Sequence, residues 1–458
     1  MAEAPLEQLR APGILEQWST TRHDIGFYWS VGMTGRYHLP ASSPFDSAIL
    51  FGAVHTLISS HAPLGVSLVG ENTAAAHFVQ LKRIDLREVV EFVRAKDLSE
   101  RDDVLGEIIS KRHSGPFNDL GKLPLWRLYV VLPPDEDIAD AGIDIALFLH
   151  HGVADGASAL IFHRDLLAAL NDPSASSSSH IINVPRLPLP APLESRLSLS
   201  LSWWTIARAL YQDIFPPSTK GLWTGGAVTN TPALQTHHIP LVLPPSTLSA
   251  LLSACRMNGT TVTAVTEAAI AKALFGVLPA DGNAEQLTCS VPISLRRFIS
   301  DSDSVMGDFY TGEEHHFARA DADDPWAVAR RIKKELVDKI AAGSKNLNIG
   351  LLRYVSDLRK YFTGKVGKAR TTSFEVSNAG VMDGKIDAQS GWRVTRLAMS
   401  QSAAVVGSAI EFSVCSVKGG ELSISVNWQE GVVERGFVEQ VVALLRTEID
   451  SLSSSSSN

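Results

Sequence analysis

His150-His151-Gly152-Val153-Ala154-Asp155-Gly156 is the stretch of this chain best equipped for chemistry. A histidine pair precedes Asp-Gly at fixed spacing. The chain's own composition would produce that match by chance only about 0.002 times. Two other pairs, His237-His238 and His315-His316, lack an Asp-Gly four residues on. A neutral imidazole can take a proton from an alcohol or amine as that group attacks a carbonyl, so the pattern suits a general base. Asp155 lies too near along the loop to need a catalytic role of its own. It reads as a structural carboxylate that holds the loop by pairing with an arginine. Gly156 gives the backbone room to turn. The plainer alternative is a core histidine beside an Asp-Gly turn.

The base must be positioned by the elements around it. Residues 143–149 place Ile143, Ile145, Leu147 and Leu149 at period two, which predicts a strand with one apolar face. Continuing the alternation puts His151 in line with those residues, facing the interior, and His150 on the opposite face. Residues 152–156 make a tight loop, and 157–170 read as a helix ended by Asn171-Asp172-Pro173. The same pattern recurs in outline along the chain. Phe45 to Ser60 is an apolar helix leading to a strand at 66–69. Thr261 to Leu278 is an Ala-rich helix, capped by Thr260 or Thr261, leading to a strand at 287–295. Further strands are expected at 125–132, 371–377 and 393–399, with a hairpin 408–417/421–428 and a final helix 434–452. Two similar units of this kind fit an α/β pseudo-dimer of two sandwich lobes with the site between them.

Length and composition agree. A chain of 458 residues exceeds one ordinary core, so two domains are expected. The boundaries fall at 1–195 for the first lobe, 196–235 for a crossover linker and 236–458 for the second lobe. Ser174–Ser179 with Pro185, Pro188, Pro190 and Pro192, and then 216–233, have linker composition. The net charge of −8 gives no case for nucleic acid. Three scattered cysteines suggest a reducing, cytoplasmic setting without disulfides. The N-terminus has no signal pattern, and no run of 18 apolar residues exists to span a membrane. Leu197 to Phe215 reads as an amphipathic helix packed on the body, with Trp203-Trp204 as packing residues.

Other residues also have chemistry to offer. Ser377-Asn378 could donate to a developing oxyanion; the alternative is a turn ending a strand. Lys365, Lys368 and Arg370 carry charge suited to phosphates; the alternative is a solvated basic loop. Ser158 is explained as a polar residue at a helix start. Gly-x-Ser-x-Gly, P-loop, Gly-x-Gly-x-x-Gly and His-Glu-x-x-His patterns are missing, so hydrolase-elbow, nucleotide, dinucleotide and zinc-protease chemistries lose support.

The motif resembles the active-site signature of the chloramphenicol-acetyltransferase-like superfamily. Pro292-Ile293-Ser294-Leu295-Arg296-Arg297 with Met306-Gly307-Asp308-Phe309 resembles its "Arg, then Gly-x-Phe" segment, and Thr372 to Gly380 its late strand ending in Ser-Asn-x-Gly. Gln17-Trp18-Ser-Thr-Thr-Arg22-His23, Gly35-Arg36-Tyr37 and Gly419 to Trp428 resemble the fungal alcohol acetyltransferase branch. The Asp-Phe-Gly-Trp-Gly motif of the plant branch is absent. The resemblance implies that Arg296, with Arg297 close behind, pairs with Asp155. It implies an acyl-CoA co-substrate, with acetyl-CoA expected, and no metal. It also implies a small-molecule alcohol as acceptor and a monomer, with His151 as general base in a ternary complex. Nothing in the residues separates CoA from a carrier-protein donor, or a hydroxyl from an amine acceptor. A same-fold cyclase and a catalytically silent binding protein are the remaining alternatives.

Overall fold

The computed structural model describes residues 6–40, 45–172, 179–215, 218–281, 283–300, 302–386 and 390–454. Parts of the expected linkers, 174–178 and Pro216-Pro217, and the end of the Ser-rich tail, 455–458, lie outside them.

Two sheets organise the chain. The first has five strands in the order Arg393–Gln401, Val31–His38, Ile143–Leu149, Trp126–Leu132, Val90–Arg94. The second has six, in the order Thr236–Leu243, Leu422–Gln429, Ile410–Val417, Phe374–Met382, Gln286–Ser294, Tyr310–Ala318. The strand at 143–149 sits in the middle of the first sheet, pairing antiparallel with 31–37 and with 126–131. It forms where the alternation predicts, but both of its faces are buried. Ile143, Ile145, Leu147 and Leu149 join the main core with helix Gly156–Leu170 and helix Ser47–Ser60. Ala146 and Phe148 pack on the other side against Ile109 and Phe117. Period two therefore marks two different apolar layers here.

The second core lies between the six-stranded sheet and helices Pro245–Met257, Val262–Val277, Pro325–Ala341 and Arg435–Ser454. Thr261 is the N-cap of the Ala-rich helix, its hydroxyl accepting from Ala264 N–H. One strand crosses between the two halves. Arg393–Gln401 follows second-half strands in sequence, yet pairs with Val31–His38 at the edge of the first sheet. It also leans on the second sheet, where Met399 N–H donates to Cys415 Sγ at 3.1 Å. The two halves are thus laced together beside the motif loop.

Two expectations need correction. The strand expected at 371–377 runs from Phe374 to Met382, so Ser377-Asn378 is mid-strand and not a terminal turn; a register shift between Asn378 and Gly380 replaces the turn. The amphipathic helix begins only at Trp203, and its apolar side faces away from the body. Trp203 is 63% exposed, Trp204 68% and Ile214 69%. The inward side carries Thr205, Ile206 and Ala209, and is anchored by Asn346 Oδ1, which accepts from Ser202 N–H and Thr205 Oγ1–H. A polar tether at its start holds this helix while its larger apolar side chains stay exposed. Among the described residues no single helix is long and apolar enough to cross a membrane.

Candidate active site

The motif loop is built from both ends. At its start, His150 N–H donates to Leu125 O, and Gly152 N–H donates to the Nδ1 of His150 at 3.0 Å. Gly152 is needed for space: a Cβ there would lie 2.6 Å from Thr20 Cγ2. At its end, Asp155 caps the following helix, accepting from Ser158 N–H at 2.9 Å. The same carboxylate takes a two-pronged bond from Arg296, at 2.6 and 3.0 Å, and a third donor from Phe309 N–H. Ser158 Oγ accepts from Arg296 and from Gly307 N–H, and its own proton lies between Asp155 and Gly307 O. Burial alone would raise the Asp155 carboxyl; the Arg296 guanidinium and these donors outweigh it and hold it below its ordinary value. Arg297, by contrast, is exposed. Gly156 lets Met399 approach: a Cβ there would meet Met399 Cε at 2.7 Å.

Between these anchors, His151 enters a cavity of about 140 Å³. Its ring stands between Tyr28 and Tyr310, with centroids 5.7 and 5.5 Å away. Its Nδ1 lies 3.5 Å from Asp308 Oδ1, long for a hydrogen bond but close enough for a charge to act. Asp308 is buried, and among the described residues neither of its oxygens has a hydrogen-bond partner. Burial pushes its carboxyl up to about 6 in spite of His151. Glu375 and Glu411 also line the cavity, and burial raises both. Gln401 donates to Glu375 at 2.8 Å, and Arg22 stacks over the Tyr28 ring at 4.5 Å. Cavity residues come from helix Ile14–Asp24, the motif loop, the crossing strand and the second sheet, so the site exists only where the halves meet.

The sequence candidates separate clearly. His151, Asp155, Gly156, Ser377 and Asn378 all line the cavity; His150 does not. Asn378 is already committed, donating to Thr263 Oγ1 and accepting from Gly380 N–H. Among the described residues Ser377 Oγ has only a long 4.0 Å contact to Met399 Sδ, so its hydroxyl is available to the cavity. Lys365 and Lys368 sit away from the cavity, Lys368 exposed and Lys365 over the Tyr361 ring. The third member of that basic set is a correction: Arg370 is buried. It donates to the carbonyls of Ala404, Gly407 and Ser408 and to Gln429 Oε1, so it holds a loop and has no face to offer a phosphate. Sequence reasoning missed Asp308, Arg22, Glu375 and Glu411. Asp308, Arg22 and Glu375 left a signal, since all three stand in segments that carry the family resemblance; Glu411 is set apart only by its burial.

Comparison with known proteins gives a consistent picture. Residues 90–449 match the family model described as alcohol acetyltransferase. The probable alcohol acetyltransferase crmB of Aspergillus fumigatus is 30% identical, over 94% of this chain and 96% of that protein. The probable alcohol acetyltransferase FCK4 of Fusarium pseudograminearum is 26% identical, over 94% and 93%. Among solved structures, the TRI3 trichothecene 15-O-acetyltransferase from Fusarium sporotrichioides has the same fold, with a TM-score of 0.72 at 12% identity over 97% of this chain and 95% of that one. The first condensation domain of the calcium-dependent antibiotic synthetase gives 0.63 at 13% identity, over 100% and 98%. The architecture is the two-lobe pseudo-dimer of that group.

Proposed function

This chain belongs to the alcohol acetyltransferase family and moves an acyl group from acyl-CoA to a hydroxyl, and we propose that His151 is the general base of that transfer. The observation that carries this reading is His151 itself. It is a motif histidine in a cavity between the halves, with a buried carboxylate at its Nδ1 edge. Asp308 favours a proton on Nδ1, which leaves Nε2 as the acceptor for the cavity. His151 takes the proton of the acceptor hydroxyl, and the freed oxygen attacks the thioester carbonyl. Ser377 Oγ–H is a donor on the cavity wall for the developing oxyanion, held only by a long contact to Met399 Sδ among the described residues. Collapse breaks the carbon–sulfur bond, and His151 returns the proton to the leaving thiolate. The acyl group is acetyl and the acceptor a small-molecule alcohol.

Transfer is direct. An acyl-enzyme needs an activated nucleophile, and Ser158 Oγ is consumed by Asp155, Arg296 and Gly307. Cys255, Cys289 and Cys415 are buried, and burial raises all three thiols, Cys255 to about 11 and Cys415 to about 12. Thiol release from acetyl-CoA over a panel of alcohols and amines tests the proposal. Alcohol-dependent release, intersecting double-reciprocal plots and no acyl adduct on the intact protein are expected. Release only with amines, or only from a carrier-bound acyl group, would replace the substrate assignment.

A further inference from the structure

Behind the motif loop, Glu71 joins two histidines that the reaction itself does not use. Its Oε2 lies 2.8 Å from His23 Nδ1, and its Oε1 lies 3.0 Å from His150 Nε2. All three side chains are buried or nearly so, and the two imidazole rings are 4.2 Å apart. By composition and spacing this is a possible divalent-metal set, its ligand atoms lying within 4.8 Å of one another.

The outer nitrogens argue for a different use. Gly152 N–H donates to His150 Nδ1 at 3.0 Å, and Phe117 N–H donates to His23 Nε2 at 3.0 Å. A backbone N–H can only donate, so each of these ring nitrogens must accept. The ring protons are therefore on His150 Nε2 and His23 Nδ1, and both point at Glu71. All four ring nitrogens are engaged, and no lone pair is left for a metal. We infer that Glu71 is a positioning residue: it holds two neutral histidines in opposite tautomers, and through His150 it fixes the turn at Gly152 that aims His151. This inference rests on His151 being the base. The electrostatics agree. Burial would raise the Glu71 carboxyl, but bonds from both histidines bring it down to about 2. Burial beside His150 brings His23 down to about 4.

Glu71→Gln tests the inference, because an amide can accept from one imidazole but must present its NH₂ to the other. In the full-length chain, kcat falls by about 10- to 100-fold, as expected when a reacting group is misaimed, while KM for acetyl-CoA and for the alcohol stays within about twofold, as expected when uniform binding is untouched. Glu71→Asp, which restores two accepting oxygens, recovers part of the lost rate. ¹⁵N–¹H correlation of imidazole-labelled wild-type protein reads the tautomers without any activity. Expected is one Nδ1–H ring and one Nε2–H ring whose signals change in Glu71→Gln. Two rings of the same tautomer, a Glu71→Gln enzyme at wild-type kcat, or one Zn²⁺ bound in wild type and lost in Glu71→Gln would each overturn it. The tautomer readout also stands if Glu71→Gln fails to fold. A His151→Ala enzyme that keeps its rate would instead remove the base assignment and leave the tautomer result intact.

Discussion

The carboxylate within the motif loop and the one that faces it are opposites. Asp155 is saturated: Arg296, Ser158 and Phe309 N–H fill its oxygens, and the same partners reach Ser158 Oγ and Gly307 O. Asp308, on the same 306–309 segment, is buried and has only the imidazole edge of His151 at 3.5 Å. Saturation makes a joint, because every group that could move already has a partner. The unfilled carboxylate leaves a poised site, since burial of an unpaired charge is costly and relieved when a cation forms beside it. On the mechanism proposed above, an imidazolium at His151 is that cation. The contrast separates the part of the motif that holds the structure from the part proposed to react.

The largest effect expected from breaking this contrast is on rate. His151→Ala should lower kcat by about 10²- to 10⁴-fold, the range for losing a general base, with an unchanged melting temperature. A variant within a few-fold of wild type would move the base elsewhere. Asp155→Ala should act on the fold instead. It strands Arg296 as a buried cation, which costs about 3–5 kcal/mol, seen as a lower melting temperature and poor soluble yield. Wild-type melting of Asp155→Ala would dissolve the distinction between joint and reacting site.

The finer test is pH. Asp308 must be ionised to support an imidazolium, so the rate should fall as pH drops through about 6. Stability should move the other way for this one group. Its folded value lies above the ordinary carboxylate value, so the folded state binds more protons and the Asp308 contribution to stability grows as pH falls from about 6 to about 4. Asp155, held below its ordinary value, contributes stability that is lost only as pH falls below about 4. Asp308→Asn should lower kcat, because the imidazolium formed at His151 loses its counter-charge. Its melting temperature should also shift in favour of wild type between pH 7 and pH 5. A rate that is flat from pH 7 to pH 5 in wild type would deny Asp308 its role.

Much of this site could be read along the chain. The strand at Ile143–Leu149, the helix at Gly156–Leu170 and the Thr261 cap follow from periodicity and cap chemistry, which are local. Arg296 as the partner of Asp155 came from motif resemblance and is 141 residues away, beyond any local rule. Ser377 and Asn378 were found together, but only the geometry shows Asn378 spent on Thr263 and Ser377 free. Arg370 looked like a phosphate ligand because charge pattern does not report burial. The outward helix Trp203–Ile214 shows the same limit, since an apolar face states a preference for cover but not where cover is.

What the residues determined alone was the strand and helix that flank the motif, several further elements, and the motif histidine proposed here as the base, because backbone propensity and short motifs act over a few positions. The tertiary structure decided the rest: the crossing of Arg393–Gln401 into the first sheet, the meeting of His151 with Asp308, and the closure of His23, Glu71 and His150 into one network. Each of these depends on which strands are neighbours and how much water is excluded between them. Hydrogen-bond partners and pKa values are set by that exclusion, and no spacing along the chain encodes it.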